Sequence, residues 1–232
     1  MQVVKWLFLY LYLTSKVITI LHFRFLKVSV YIDLSFWISL LFVIGITSGP
    51  YRESLLLAIV FTFSLFIHEY GHALAALFFS AEPVIVLQAF SGRTTFNKSV
   101  ITDKQNFLIT LSGPLLQGLV VLGAYLLFRY SACNGYIFRY LLFEIIRINT
   151  TWTLLNLIPI EPLDGGYLVR YILEKAFGRK GHRASIIIGL AAAAVAIPYL
   201  YVYGHYLSFF FIGQLLISGF QYCSRWQKEQ EW

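Results

Sequence analysis

The stretch Ser64-Leu65-Phe66-Ile67-His68-Glu69-Tyr70-Gly71-His72-Ala73-Leu74-Ala75-Ala76-Leu77-Phe78-Phe79 sets three ionisable side chains inside a run apolar enough to sit in lipid. In a helix, positions i and i+4 share a face, so His68 and His72 can aim their imidazoles at one metal ion. Glu69 follows the first of them and is placed to take a proton from a water that such a metal activates. Two histidines and a carboxylate are costly to keep in a hydrophobic helix unless they are paired or bound. The motif thus constrains environment and chemistry together, and it lacks a ligand.

The rest of the chain agrees with a lipid environment. It is 59% hydrophobic and only 12% charged, against roughly 25% charge in a typical soluble domain. The formal charge of +7 would suit a nucleic acid, but in a membrane protein a basic balance marks cytoplasmic loops. No nucleic-acid partner is therefore expected. Lys5 precedes an apolar stretch, yet no small-residue cleavage site follows Lys16, so no cleavable signal peptide is read.

Six spans are expected, at about 35–49, 54–79, 106–128, 136–157, 184–203 and 205–222. Residues 3–13 are apolar but too short to cross a core of about 30 Å, and read as an interfacial segment. From Val17 to Leu34 the alternation is β-like and predicts a short hairpin lying against the membrane. Between the second and third spans, Pro83 to Phe90 is greasy, Ser91-Gly92-Arg93 forms a turn and Thr94-Thr95-Phe96 returns. A hairpin dipping back toward the membrane fits this pattern. The expected fold class is an all-α polytopic membrane protein with a short N-terminal β segment and a membrane-associated β-hairpin between the second and third helices. Its parts are an N-terminal segment, 1–34, a six-helix domain, 35–223, and a cytoplasmic tail, 224–232.

Positive charge tests this layout independently. With the N-terminus cytoplasmic, inner segments hold thirteen of the 18 Lys and Arg, while the outer loops hold only Arg52, Arg129 and Arg139. Both termini are predicted to be cytoplasmic, in the cell (inner) membrane of a prokaryote. Cys133 then lies outside and Cys223 at the inner face, so the two are not expected to be bridged.

A catalytic zinc takes three protein ligands and a water. Asp33 and Asp103 sit at span edges, and Glu82 follows the second span too closely to fold back easily. Glu144 has Arg147 three residues on, the spacing of a helical ion pair. That leaves Asn156-Leu157-Ile158-Pro159-Ile160-Glu161-Pro162-Leu163-Asp164-Gly165-Gly166, where two prolines break the fourth helix in apolar surroundings and two glycines allow close backbone packing. A carboxylate presented by broken helix within a membrane is a functional candidate by default.

HEYGH in one span and NLIPIEPLDGG near the end of a later one resemble the site-2 protease family of intramembrane zinc metalloproteases. The family hallmarks are H-E-x-x-H and N-x-x-P-x-x-P-L-D-G, here in the same order, and the resemblance runs from about Lys27 to Ile172. It includes Gly113-Pro114 in the third span. It implies His68, His72 and Asp164 as ligands of one Zn2+ ion, Glu69 as the general base, and Asn156 as a catalytic residue that positions substrate or stabilises the oxyanion. Two departures stand out. Gln117 occupies a position where the family's G-P-x-x-N pattern carries asparagine, and Glu161 lies between the prolines where an apolar residue is usual.

The resemblance implies a hydrolase that cleaves a transmembrane segment of a membrane-protein substrate, as in regulated intramembrane proteolysis. Helical amides are bonded to one another, so the substrate must unwind locally, and a sheet edge can capture the extended segment by strand addition. Residues 83–97 are expected to offer that edge. Val86, Leu87, Phe90, Gly92, Gln117, Pro159 and Pro162 are the expected substrate contacts. The partners are the lipid bilayer, the substrate and a regulatory membrane protein, since the gaps leave no room for a PDZ domain. A catalytically silent scaffold of the same fold is the alternative, although a scaffold has no need of Glu69. A metal transporter is a third reading, but transporters usually show several ligand clusters along a path.

Overall fold

A computed structural model describes residues 19–46, 50–89 and 91–203. The expected interfacial segment at 3–13, the sixth span at 205–222, the tail, Cys223 and Phe90 lie outside the described residues. The elements run β1 (Thr19–Phe25), β2 (Val28–Asp33), α1 (Leu34–Ile46), α2 (Tyr51–Phe78), β3 (Val84–Gln88), β4 (Ser91–Thr95), α3 (Asp103–Tyr130), α4 (Tyr136–Asn156), α5 (Asp164–Phe177) and α6 (Arg179–Tyr203). They divide into two compact units, one containing the residues up to Thr102 together with Leu115–Thr150, the other Asp103–Pro114 together with the residues from Thr151 onward. The division falls within α3 and α4.

In the first unit the strands form one sheet in the order β1-β2-β3-β4. β1 and β2 are an antiparallel hairpin closed by Leu26 and Lys27, both with positive φ. That is the backbone a two-residue turn needs if its twist is to match the strands it joins. Along β2 burial alternates, with Val28, Val30 and Ile32 inward, and Ile85 and Leu87 of β3 are also buried. Period-two alternation of this kind buries one face of a sheet.

The two hairpins read separately from the sequence are joined by a parallel pairing of β2 with β3, in which Ile32 stands opposite Leu87. This changes where an edge is available. β3 is paired on both sides, so Val84–Gln88 offers no open edge, and among the described residues the unpaired side at this end of the sheet belongs to β4. A local pattern shows that a segment is a strand but carries no information on its partner fifty residues away. Asp33 caps α1, its carboxylate accepting from the Ser35 amide at 2.9 Å and from the Ser35 hydroxyl. The same hydroxyl accepts from the Ala89 amide at 3.0 Å, fastening the end of β3 to the start of α1.

By length and composition, α2 and α3 are the two described helices that could cross a membrane, and α1 contributes a shorter apolar stretch. α4 carries Arg139, Glu144, Arg147 and Asn149, and α6 opens on Arg179, Lys180, His182 and Arg183. Arg139, Glu144 and Arg147 dilute the apolar character of the expected fourth span, while the residues that open α6 precede the expected fifth span at 184–203.

In the second unit α4 ends at Asn156, a non-helical passage carries both prolines, and α5 begins at Asp164. The sequence reading assigns no element to 158–183, between the fourth and fifth spans, whereas 164–177 is helix. Tyr167, Leu168, Tyr171 and Ile172 give it a helical apolar period, and Gly178 ends it with a φ of 57°. Ile160 and Leu163 pack with Ile158, Ala192 and Ala193, so the passage between the prolines is seated on α6.

Candidate active site

α2 carries the opening motif into the interior of the first unit. His68, Glu69 and His72 are 3%, 6% and 7% exposed. Their Nε2 atoms converge, with His68 and His72 3.1 Å apart and the rings nearly perpendicular at 87°. Two nitrogens bound to a tetrahedral zinc at about 2.05 Å would lie roughly 3.3 Å apart. The pair therefore has the spacing of one edge of such a site, and imidazole is a donor that zinc accepts well.

Two contacts hold Glu69 from the sheet. The Thr94 hydroxyl lies 2.7 Å from Glu69 Oε2 and 3.0 Å from the Glu69 carbonyl, and donates to them. Gly92 lies against the same side chain, where a Cβ would stand 2.7 Å from Glu69 Cδ. Glycine at this position is what allows β4 to pass over the carboxylate. Gly92, an expected substrate contact, thus touches the candidate base. Val86 and Leu87 are in the interior strand β3, with Leu87 buried.

Behind His68 the contacts come from α3 and α4. His68 Nδ1 is 2.9 Å from Gln117 Oε1. Gln117 Nε2 donates to the Ser64 carbonyl at 3.3 Å and to Asn149 Oδ1 at 3.2 Å. Gln117 is fully buried, so it lies behind the histidine and not on a surface open to substrate. Glu144 and Arg147 form the ion pair expected of them, with Arg147 Nε at 2.9 Å from Glu144 Oε2.

In the second unit Asp164 sits half-buried in the first turn of α5. The two glycines after it explain the local fold. A Cβ on Gly165 would collide with the Leu157 and Ile158 carbonyls, and one on Gly166 would stand 2.8 Å from the Ile160 carbonyl oxygen and closer still to the Glu161 amide. Only glycine lets this turn press on the chain that precedes it. Glu161 is buried and pairs with Arg170 Nη1 at 2.9 Å. Arg170 belongs to α5. Asn156 closes α4, donating its amide to the Trp152 carbonyl at 3.1 Å. Pro159 is half-buried, with its carbonyl against Gly189, and Pro162 is exposed.

Three residues that touch the site escaped the sequence reading: Thr94, Asn149 and Ser64. A threonine in a hairpin or an asparagine in an apolar helix has many bland uses. Asn149 carried the better signal, since a full amide within a span must find partners.

A family model described as Peptidase family M50 matches residues 131–197, a stretch that contains NLIPIEPLDGG. Stage IV sporulation protein FB of Bacillus subtilis is 29% identical over 146 residues, covering 62% of this chain and 48% of that protein. A zinc metalloprotease of Methanocaldococcus jannaschii is 28% identical over 181 residues, covering 75% of this chain and 51% of that protein. The chain thus spans about half the length of the curated relatives it matches. The solved site-2 protease from Methanocaldococcus jannaschii shares the fold, with a TM-score of 0.58 at 22% identity, covering 88% of this chain and 94% of that one. The resemblance carried by the two motifs agrees with these likenesses: residues 131–197 match Peptidase family M50, the chain is similar to zinc metalloproteases over longer stretches, and it has the fold of a site-2 protease.

Proposed function

We propose that the chain is an intramembrane zinc endopeptidase that cleaves a transmembrane segment of a membrane-protein substrate in regulated proteolysis. The observation that carries this reading is the convergence of His68 and His72, 3.1 Å apart on a buried helical face with Glu69 beside them. The names of the relatives, zinc metalloproteases among them, support it. Asp164 is the third ligand of a single zinc ion. A carboxylate at a helix start, locked by two glycines, suits a ligand that must not wander.

His68, His72 and Asp164 would hold the zinc, which would supply Lewis acidity and make a water easier to deprotonate. Glu69 takes the proton of the attacking water and returns it to the leaving amine. Thr94 keeps the carboxylate in one orientation while it does so. Asn156 steadies the carbonyl on which charge develops. The substrate segment is held extended along β4, the strand whose outer side has no partner among the described residues and whose Gly92 and Thr94 lie on Glu69.

The topology that goes with this activity is six spans with both termini cytoplasmic, in the cell membrane of a prokaryote. The bias of Lys and Arg toward the inner segments supports it. The deciding experiment compares metal content and cleavage of a membrane substrate for the wild type and Glu69→Gln. Equal zinc in both with cleavage lost only in the variant is expected. Cleavage that survives Glu69→Gln overturns the mechanism, and zinc without any Glu69-dependent cleavage leaves the silent scaffold or the metal transporter.

A further inference from the structure

Asn149 has no place in the chemistry above, yet it is fully buried and joined to three helices. Its Nδ2 donates to the Ile145 carbonyl at 2.8 Å within α4 and to Ser64 Oγ at 2.9 Å on α2. Ser64 Oγ in turn donates to the Val60 carbonyl at 2.8 Å. We propose that Gln117 and Asn149 are positioning residues that fix the protonation and aim of His68 as a metal ligand. The inference rests on the zinc reading of His68 and His72.

The argument is one of hydrogen-bond direction. A backbone carbonyl can only accept, so the Ile145 carbonyl forces the NH2 end of the Asn149 amide toward itself. The other end, Oδ1, then faces Gln117 and can only accept. The Ser64 carbonyl makes the same demand on Gln117. Both demands set Gln117 Nε2 toward Ser64 and Asn149, and leave Oε1 toward His68 Nδ1. That oxygen has no proton to give, so Nδ1 of a neutral His68 must carry one. The lone pair is then on Nε2, the atom that converges with His72 Nε2. Two backbone carbonyls thereby dictate the tautomer of a ligand through two amides.

Burial makes the dictation strict. Gln117 and Asn149 are each 0% exposed, so turning either amide would set acceptor against acceptor with no water to relieve it. Gln117 is one methylene longer than the asparagine of the G-P-x-x-N pattern, and here that reach is spent on His68.

The experiment measures binding of cobalt and zinc to the purified full chain by chelator competition, together with the cobalt ligand-field spectrum. His68→Ala and His72→Ala come first. If they leave cobalt binding unchanged, the zinc reading fails and this inference with it. If they abolish it, Gln117→Leu is expected to weaken binding about 10–100-fold and to alter the spectrum. Gln117→Glu keeps an acceptor on His68 Nδ1 but loses the donor to the Ser64 carbonyl and Asn149 Oδ1, and is expected to bind more tightly than Gln117→Leu without reaching the wild-type value. Asn149→Ala frees Gln117 to turn and is expected to cause a smaller fall. Should Gln117→Leu fail to fold, the Gln117→Glu and Asn149→Ala measurements decide alone. Unchanged affinity and spectrum in Gln117→Leu, or an equal fall in Gln117→Leu and Gln117→Glu, overturns the proposal.

Discussion

At Gly92 the missing side chain is the functional group. A methyl there would occupy space that Glu69 holds, because the ideal Cβ lies 2.7 Å from Glu69 Cδ. Gly92→Ala is therefore expected to displace the base while leaving His68 and His72 alone. The measurement is kcat against zinc content, with kcat falling at least tenfold at full zinc occupancy. Thr94 acts on the same carboxylate through one hydroxyl. Thr94→Val is expected to lose about tenfold in kcat, within the range ascribed to positioned acid–base groups, and Thr94→Ser to recover most of it. His68, Glu69, His72 and Asp164 were legible as candidates because their types and spacing are rare in apolar sequence. Thr94 and Asn149 were not, because their roles arise from hydrogen bonds made across 25 and 85 residues of chain.

Among the elements, β4 is strapped to Glu69 and, among the described residues, has no strand partner on the edge away from β3. Successive N–H groups along a strand point alternately to its two neighbours. A proline scan from Ser91 to Thr95 is thus expected to give two alternating classes. One set loses cleavage with thermal unfolding unchanged, and the other loses the sheet. Uniform effects along β4 would argue against strand addition there. In α5, Arg170 answers the buried Glu161 at 2.9 Å. Arg170→Leu leaves that charge without its cation and is expected to destabilise the protein by about 3 kcal/mol, with the Glu161→Gln, Arg170→Leu double variant recovering part of the loss. Denaturation of the three proteins checks the order. The hairpin at Val17–Leu34 could be read because alternation is a local property, and β1 and β2 fall inside it. Its parallel union with β3 could not be read, nor could α5, whose short apolar period hides behind two prolines and two glycines.

For the molecule as a whole, charge bias supplied a topology that the lengths of α2 and α3 alone do not. Cys133 lies exposed between α3 and α4. In intact cells it is expected to react with a membrane-impermeant maleimide, and failure to label before permeabilisation would reverse the orientation proposed for those helices. Apolar runs revealed the helices but blurred their ends, since α6 starts at Arg179, five residues before the expected span. Residue hydropathy marks where lipid begins, whereas a helix continues for as long as its backbone bonds do.

The parallel joint between β2 and β3 also sets an order of events during synthesis. Its two strands flank α1 and α2, so the sheet cannot close until the ribosome has passed Gln88, and Glu69 is not clasped until Thr94 has been made. The histidine helix must therefore be translated before its base is restrained. The growing chain carries an unclasped Glu69 carboxylate until β4 has been made and paired.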